Sequence, residues 1–281
     1  MRYLVACALV LGLGGQAIAD TIHVPGDYST IYQAIDAAVD GDVIEIAAGT
    51  YYGSYLSPQG KHIIISGVLN EDGSHAVILD GQQSGAILWC YNDEDTSTVF
   101  RNLVLTNGSS YYGGGLSCYD GSSPALENCI IRNNTGTIEG GGVHLRENCN
   151  PHFIECRFEN NVAHGPGGGI YNIKSSPTLS NCTFSGNMAL TQGGGIYTNV
   201  GNPTLQDCLF CDNSTPQIVG GYVDAGGNTI EDECHVDCPG DYDASGYVDV
   251  GDLLFVISNW QNPYEIDDLL LVISQWNSSC P

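Results

Sequence analysis

The chain has 281 residues, with 32 Asp and Glu against 7 Lys and Arg, a formal net charge of -25. That balance excludes a nucleic-acid partner, which needs basic patches to neutralise phosphate. It also opposes unaided binding of an acidic polysaccharide, while leaving calcium binding or simple solubility open.

Residues 1–19 read as a secretory signal peptide. Arg2 is the basic start, residues 4–13 are the apolar core, and Ala17-Ile18-Ala19 is a small-x-small cleavage site. That core is too short to span a bilayer, and no later stretch is apolar for long enough. The expected location is secreted or extracellular, with attachment to a cell surface open. One of the 12 cysteines, Cys7, lies in this leader. An oxidising compartment permits disulfides among the rest. Their odd number leaves at least one thiol unpaired within the chain.

After it, residues 21–24 read as a strand and Pro25-Gly26-Asp27 as a turn. Ser29 or Thr30 can cap a helix, and Thr30 with Gln33 fits a capping box. Ile31, Ala34, Ile35 and Ala38 form one apolar stripe, and Asp40-Gly41 ends it. A short amphipathic helix at this place is expected to cap the first coil of a solenoid. Strand-like runs follow at residues 43–46, 62–66, 76–79, 86–89 and 99–106, separated by glycine turns and by no helix pattern.

Between residues 113 and 213 the sequence repeats four times at an offset of 26 or 27 residues. Each copy opens on three glycines: Gly113-Gly114-Gly115, Gly140-Gly141-Gly142, Gly167-Gly168-Gly169 and Gly193-Gly194-Gly195. Pro124, Pro151, Pro177 and Pro203 keep step, as do Cys129, Cys156, Cys182 and Cys208, and Asn134, Asn161, Asn187 and Asn213. A fixed period of this size signals a solenoid. Stacked coils would place Ile131, Phe158, Phe184 and Phe210 in one internal column, each contributing roughly 1.5–3 kcal/mol by burial. The cysteines would form a second column, either reduced or bridged between coils. The glycines read as tight turns, because an aliphatic strand rather than a helix follows each. The earlier coils keep some register: Leu88-Trp89-Cys90-Tyr91 matches Leu116-Ser117-Cys118-Tyr119 at an offset of 28.

From residue 22 to about 222 the chain resembles the right-handed parallel β-helix superfamily with the pectin-lyase-like fold. The opening Ile22-His23-Val24-Pro25-Gly26-Asp27-Tyr28 carries the resemblance, with Gly41-Asp42-Val43-Ile44-Glu45-Ile46. The later coils are similar to repeats of the polymorphic outer-membrane-protein type. The resemblance implies an all-β solenoid and leaves activity open. Enzymes of this superfamily cleave polysaccharides, yet the catalytic patterns of pectate lyases, polygalacturonases and pectin methylesterases are absent from this sequence.

Remaining candidates on the solenoid are few. His144, Arg146 and Glu147, with Asp120 on the preceding coil, form the best polar constellation, read by default as a solvated face. Asn92-Asp93-Glu94-Asp95 reads as an acidic loop, with calcium as the sharper alternative. Tyr111, Tyr112, Tyr171 and Tyr197 read as surface tyrosines. Tyr171 and Tyr197, 26 apart, would align as a carbohydrate-binding row.

Residues 224–237 read as a linker between the β-helix, residues 20–223, and a small α-helical module, residues 238–281. In the module, Asp241, Asp243, Ser245, Asp249 and Asp252 place oxygens at positions 1, 3, 5, 9 and 12 of a calcium loop. Gly246 stands at position 6, and Tyr247 offers its carbonyl at 7. An apolar helix follows with Leu253, Ile257 and Trp260 on one stripe. Residues 250–260 then recur at an offset of sixteen. This resembles a dockerin-like duplicated EF-hand module, which implies Ca2+ as cofactor and a cohesin-like or cell-surface partner. The second copy lacks the early loop ligands. Cys238 and Cys280 bracket the module and are expected to pair, as are Cys211 and Cys234.

Two functions are therefore expected. One is a secreted β-helix for display, adhesion or carbohydrate binding, attached through its calcium module. The other is a polysaccharide lyase or glycoside hydrolase targeted by the same module.

Overall fold

The computed structural model describes residues 19–234 together with 253, 254, 256 and 257. The calcium-loop residues Asp241, Asp243, Ser245, Tyr247, Asp249 and Asp252, the signal peptide, and Cys238 with Cys280 lie outside the described residues. Residues 253, 254, 256 and 257 are helical.

Among the described residues, short strands build four sheets of nine, eight, four and six strands. One coil visits them in turn through Ala125–Glu127, Ile130–Arg132, Thr135–Glu139 and Val143–Arg146. Each strand pairs in parallel with its equivalent one coil away, as Ile131 with Phe158, Phe158 with Phe184 and Phe184 with Phe210. The architecture is the expected all-β parallel solenoid. Side chains alternate across each short strand, so one residue in two faces the interior.

The phenylalanine column is continuous. Phe158 and Phe184 stack at 4.3 Å and Phe184 and Phe210 at 4.5 Å between ring centroids. The cysteine column is also present, and Cys129, Cys156, Cys182 and Cys208 are reduced and buried. Each thiol donates to a carbonyl two residues back, as Cys156 Sγ to Ile154 O at 3.5 Å. Burial pushes the Cys156 thiol up, so it stays protonated.

A third column is made of asparagine. Asn187 Nδ2 donates to Asn213 Oδ1 at 2.8 Å and to Phe158 O at 2.7 Å, while its own Oδ1 accepts from Asn161 Nδ2 at 2.9 Å. The link repeats from Asn134 to Asn213, so amides buried at the turn satisfy one another from coil to coil.

The glycine triplets hold two roles rather than one. The first glycine is the turn: Gly113, Gly140, Gly167 and Gly193 have φ between 63 and 76°. The next two are needed because neighbouring coils touch there. A Cβ on Gly141 would run into the Gly168 carbonyl and the Val162 backbone.

At the start, the helix is Ile31–Ala37, with Ile31, Ala34 and Ile35 buried against Ile44 and Ile46. Thr30 caps it by accepting from Gln33 N–H at 3.2 Å. The reciprocal half of the capping box is replaced, because Gln33 Oε1 accepts from Ser29 Oγ at 2.8 Å. At the far end, strands Val223–Asp224 and Thr229–Ile230 pair with Thr204–Gln206 and Leu209–Cys211, so coiling continues into the residues read as linker. Cys211 and Cys234 form a disulfide there, as expected. No helix among the described residues is long and apolar enough to cross a membrane.

Candidate functional site

The six-stranded sheet carries an ordered row on its outer face. Leu88, Leu116, Val143, Ile170 and Ile196 point inward and belong to the core. The next residue of each strand points outward, in register: Trp89, Ser117, His144, Tyr171 and Tyr197. His144 stacks on Tyr171 at 5.3 Å and Tyr171 on Tyr197 at 5.4 Å, each pair of planes within 8°.

Ser117 interrupts the aromatic row, and its small side chain leaves a gap. A cavity of about 260 Å³ opens there, walled by Tyr55, Trp89, Tyr111, Tyr112 and Tyr119, with Ala86 and Ser110 at its edges. Tyr55 and Tyr91 flank Trp89 at 4.8 and 5.5 Å. Ser117 Oγ donates to the carbonyls of Tyr112 and Gly113 and so holds the strand that supplies the tyrosine wall.

On either side of Ser117 stands a buried polar atom without a partner: Trp89 Nε1 and His144 Nδ1. Such atoms cost about 1–3 kcal/mol each when left unsatisfied. His144 Nε2 lies 3.5 Å from Glu139 Oε2. Burial pulls the His144 pKa below its ordinary value, against the opposing pull of Glu139, so the ring is neutral near pH 7. Facing a carboxylate, Nε2 carries the hydrogen and Nδ1 keeps the lone pair. Trp89 thus carries an unused donor in the cavity wall, while the unused acceptor of His144 lies outside the lining, under Tyr112 and Tyr119. The facing His144 ring holds the Glu139 carboxyl low, and burial pushes the Tyr119 hydroxyl up to about 12.

Several expectations are corrected here. His144 is not on a solvated face; it is 2 % exposed, covered by Tyr112, Tyr119 and Tyr171. Tyr171 is not a surface tyrosine but 4 % exposed, because His144 and Tyr197 sandwich it. Tyr111 is open, at 71 %. Arg146 shares the outer face with His144 but pairs with Glu147 at 3.1 Å, and Asp120 is exposed. The carboxylate that meets His144 is Glu139, which sequence reasoning missed. It immediately precedes a glycine triplet, the position that reaches over the next strand.

In the loop at Asn92, the carboxylates serve the backbone. Glu94 turns inward and accepts from the N–H groups of Gly60 and Asn92 at 3.0 and 2.9 Å, and Asp95 accepts from Ser97 N–H at 2.8 Å. Among the described residues, no group of three His, Cys, Asp or Glu is placed to hold a metal.

Residues 46–232, more than half of the chain, match the family described as "Right handed beta helix region". The chain belongs to this right-handed β-helix family. No curated protein matches it. Among solved structures, it is similar to a pectin methylesterase from Aspergillus niger, at 15% identity and a TM-score of 0.45, covering 79% of this chain and 88% of that one. It is also similar to the pectate lyase Pel9A, at 14% identity and a TM-score of 0.48, covering 79% and 78%. At this level neither protein's chemistry transfers to this right-handed β-helix.

Proposed function

We propose that this β-helix binds a neutral saccharide in the aromatic cleft between Trp89 and Tyr119. The carrying observation is a gap walled by four tyrosines and Trp89, whose indole N–H is buried without a partner. Sugar hydroxyls donate and accept, and the C–H faces of a sugar ring pack on aromatic rings. The net charge of -25 favours a neutral glycan over an acidic one. Affinity electrophoresis through gels containing neutral polysaccharides tests this. Retardation of the wild type, lost in Trp89→Ala, supports the reading; equal mobility of both in every gel refutes it.

The pair His144–Glu139 beside the cleft favours one second reading, a polysaccharide lyase or hydrolase. A neutral imidazole against a carboxylate is a proton-transfer pair. Product assays for new reducing ends and unsaturated sugars test it, with Glu139→Gln as the inactive control.

The calcium loop from Asp241 to Asp252 completes the proposal. Its oxygen spacing supports one bound Ca2+ in a dockerin-like module that attaches a secreted protein to a cohesin-like or cell-surface partner. The apolar stripe of the first helix supports its role as a cap over the first coil. Calorimetry with calcium checks the loop: binding that Asp241→Ala abolishes supports it, and no heat in the wild type removes it.

A further inference from the structure

A second groove lies on a different face, over the eight-stranded sheet. Its volume is about 550 Å³. The floor is apolar although it faces outward: Ile78, Val104 and Ile130 stand in register on three coils. Val104 and Ile130 are only 3 % and 6 % exposed. One wall is the turn that ends at His75. His75 Nε2 meets the carbonyl of Asn128 at 2.7 Å, which can only accept, so the ring donates and pins the turn across the coils.

Two arginines close the groove. Arg157 is in register with Ile130, and Arg132 stands one strand over and two residues along. Strand spacing and rise put their Cα atoms roughly 8 Å apart. In a chain with 7 Lys and Arg against 32 acids, partners are abundant: Arg146 meets Glu147 at 3.1 Å and Arg157 meets Glu159 at 2.7 Å, while Arg101 has Glu127 at 4.0 Å, an ion pair without a hydrogen bond to its Nε. Arg132 pairs with no carboxylate among the described residues, and its Nε is buried without a hydrogen-bond partner. Its register neighbour Glu159 turns to Arg157 at 2.7 Å instead. The nearby carboxylate of Asp72 is engaged by Ser74, accepting from its N–H at 2.9 Å and its hydroxyl at 2.6 Å.

An unpaired, partly buried guanidinium above an apolar floor suits an anion carried on an apolar body. We propose that this groove binds a carboxylate carried on an apolar body. The carboxylate would accept from Arg132, with the free end of Arg157 beside it, while the apolar part covers Ile78, Val104 and Ile130. The long-range repulsion of an acidic chain is opposed locally, because Arg132 is partly buried and its Nε lacks a partner. This site is separate from the saccharide cleft and does not depend on it.

Calorimetric titration of the full-length protein with benzoate tests the proposal, with acetate and benzyl alcohol as the half-ligands. Benzoate is expected to saturate one site, about tenfold or more tighter than either half-ligand. Arg132→Gln is expected to weaken benzoate about tenfold or more, and Arg132→Lys less, with circular dichroism and Tm unchanged. The proposal is overturned if benzoate gives no saturable signal at two temperatures. It is equally overturned if benzyl alcohol binds as tightly, or if Arg132→Gln and Arg157→Gln both bind benzoate like the wild type.

Discussion

His144 lies face to face with Tyr171, ring centroids 5.3 Å apart, while its Nε2 points at Glu139 from 3.5 Å. This stacked, neutral imidazole fixes a pH response. Burial lowers its folded-state pKa, so above the unfolded value both states are neutral and the ring adds no pH dependence. As pH falls through about 6.5, the unfolded ring takes a proton that the folded ring refuses, and stability declines. The wild-type Tm is therefore expected to fall more steeply than that of His144→Phe between about pH 7 and pH 5. Thermal melts of both proteins across that window check this; parallel slopes contradict it.

The phenylalanine column predicts a large core penalty. Phe184 is sandwiched at 4.3 and 4.5 Å and fully buried. Phe184→Ala should cost about 3–5 kcal/mol, and Phe184→Leu clearly less. Urea unfolding followed by circular dichroism measures both.

The asparagine ladder predicts a polar penalty of comparable weight. Asn187→Ala strands the Asn161 amide and the Phe158 carbonyl, at about 1–3 kcal/mol for each group left unpaired. Asn187→Asp keeps the shape but replaces the donor with a buried charge, and should be no better. Urea midpoints rank the two variants against the wild type.

The cysteine column predicts unreactive thiols. Cys90, Cys118, Cys129, Cys149, Cys156, Cys182 and Cys208 are reduced and buried. Burial pushes the Cys118 and Cys156 thiols up. Iodoacetamide should leave these seven unmodified in the native protein and label them after denaturation without reductant, as read by peptide mass spectrometry.

The rod itself was legible because its cause is periodic. Residues 26 or 27 apart meet one coil away, so the register of Phe158, Phe184 and Phe210, and of Tyr171 with Tyr197, follows from counting. Burial of the outward row does not follow from counting, because the cover over His144 comes from Tyr112, Tyr119 and Tyr171 on three different strands or turns. The cleft was half legible. The matched pieces around Trp89 and Ser117 set a large residue beside a small one in register, which is the gap itself. Its other walls come from Tyr55, in a coil without the glycine signature, and from Tyr111, two residues before the first triplet. Likewise, register sets Arg132 beside Glu159, and only the turn of Glu159 toward Arg157 leaves Arg132 unpaired.

The most direct test of the central claim uses the indole in the cleft. The chain has 3 tryptophans, and Trp260→Phe with Trp276→Phe leaves Trp89 alone. Its emission, titrated with neutral oligosaccharides, is expected to change saturably for at least one glycan. Tyr111→Ala should weaken that binding by roughly 0.5–1.5 kcal/mol, up to about tenfold in affinity. No change in Trp89 emission with any neutral oligosaccharide, or an unaltered titration in Tyr111→Ala, would contradict the saccharide-binding account.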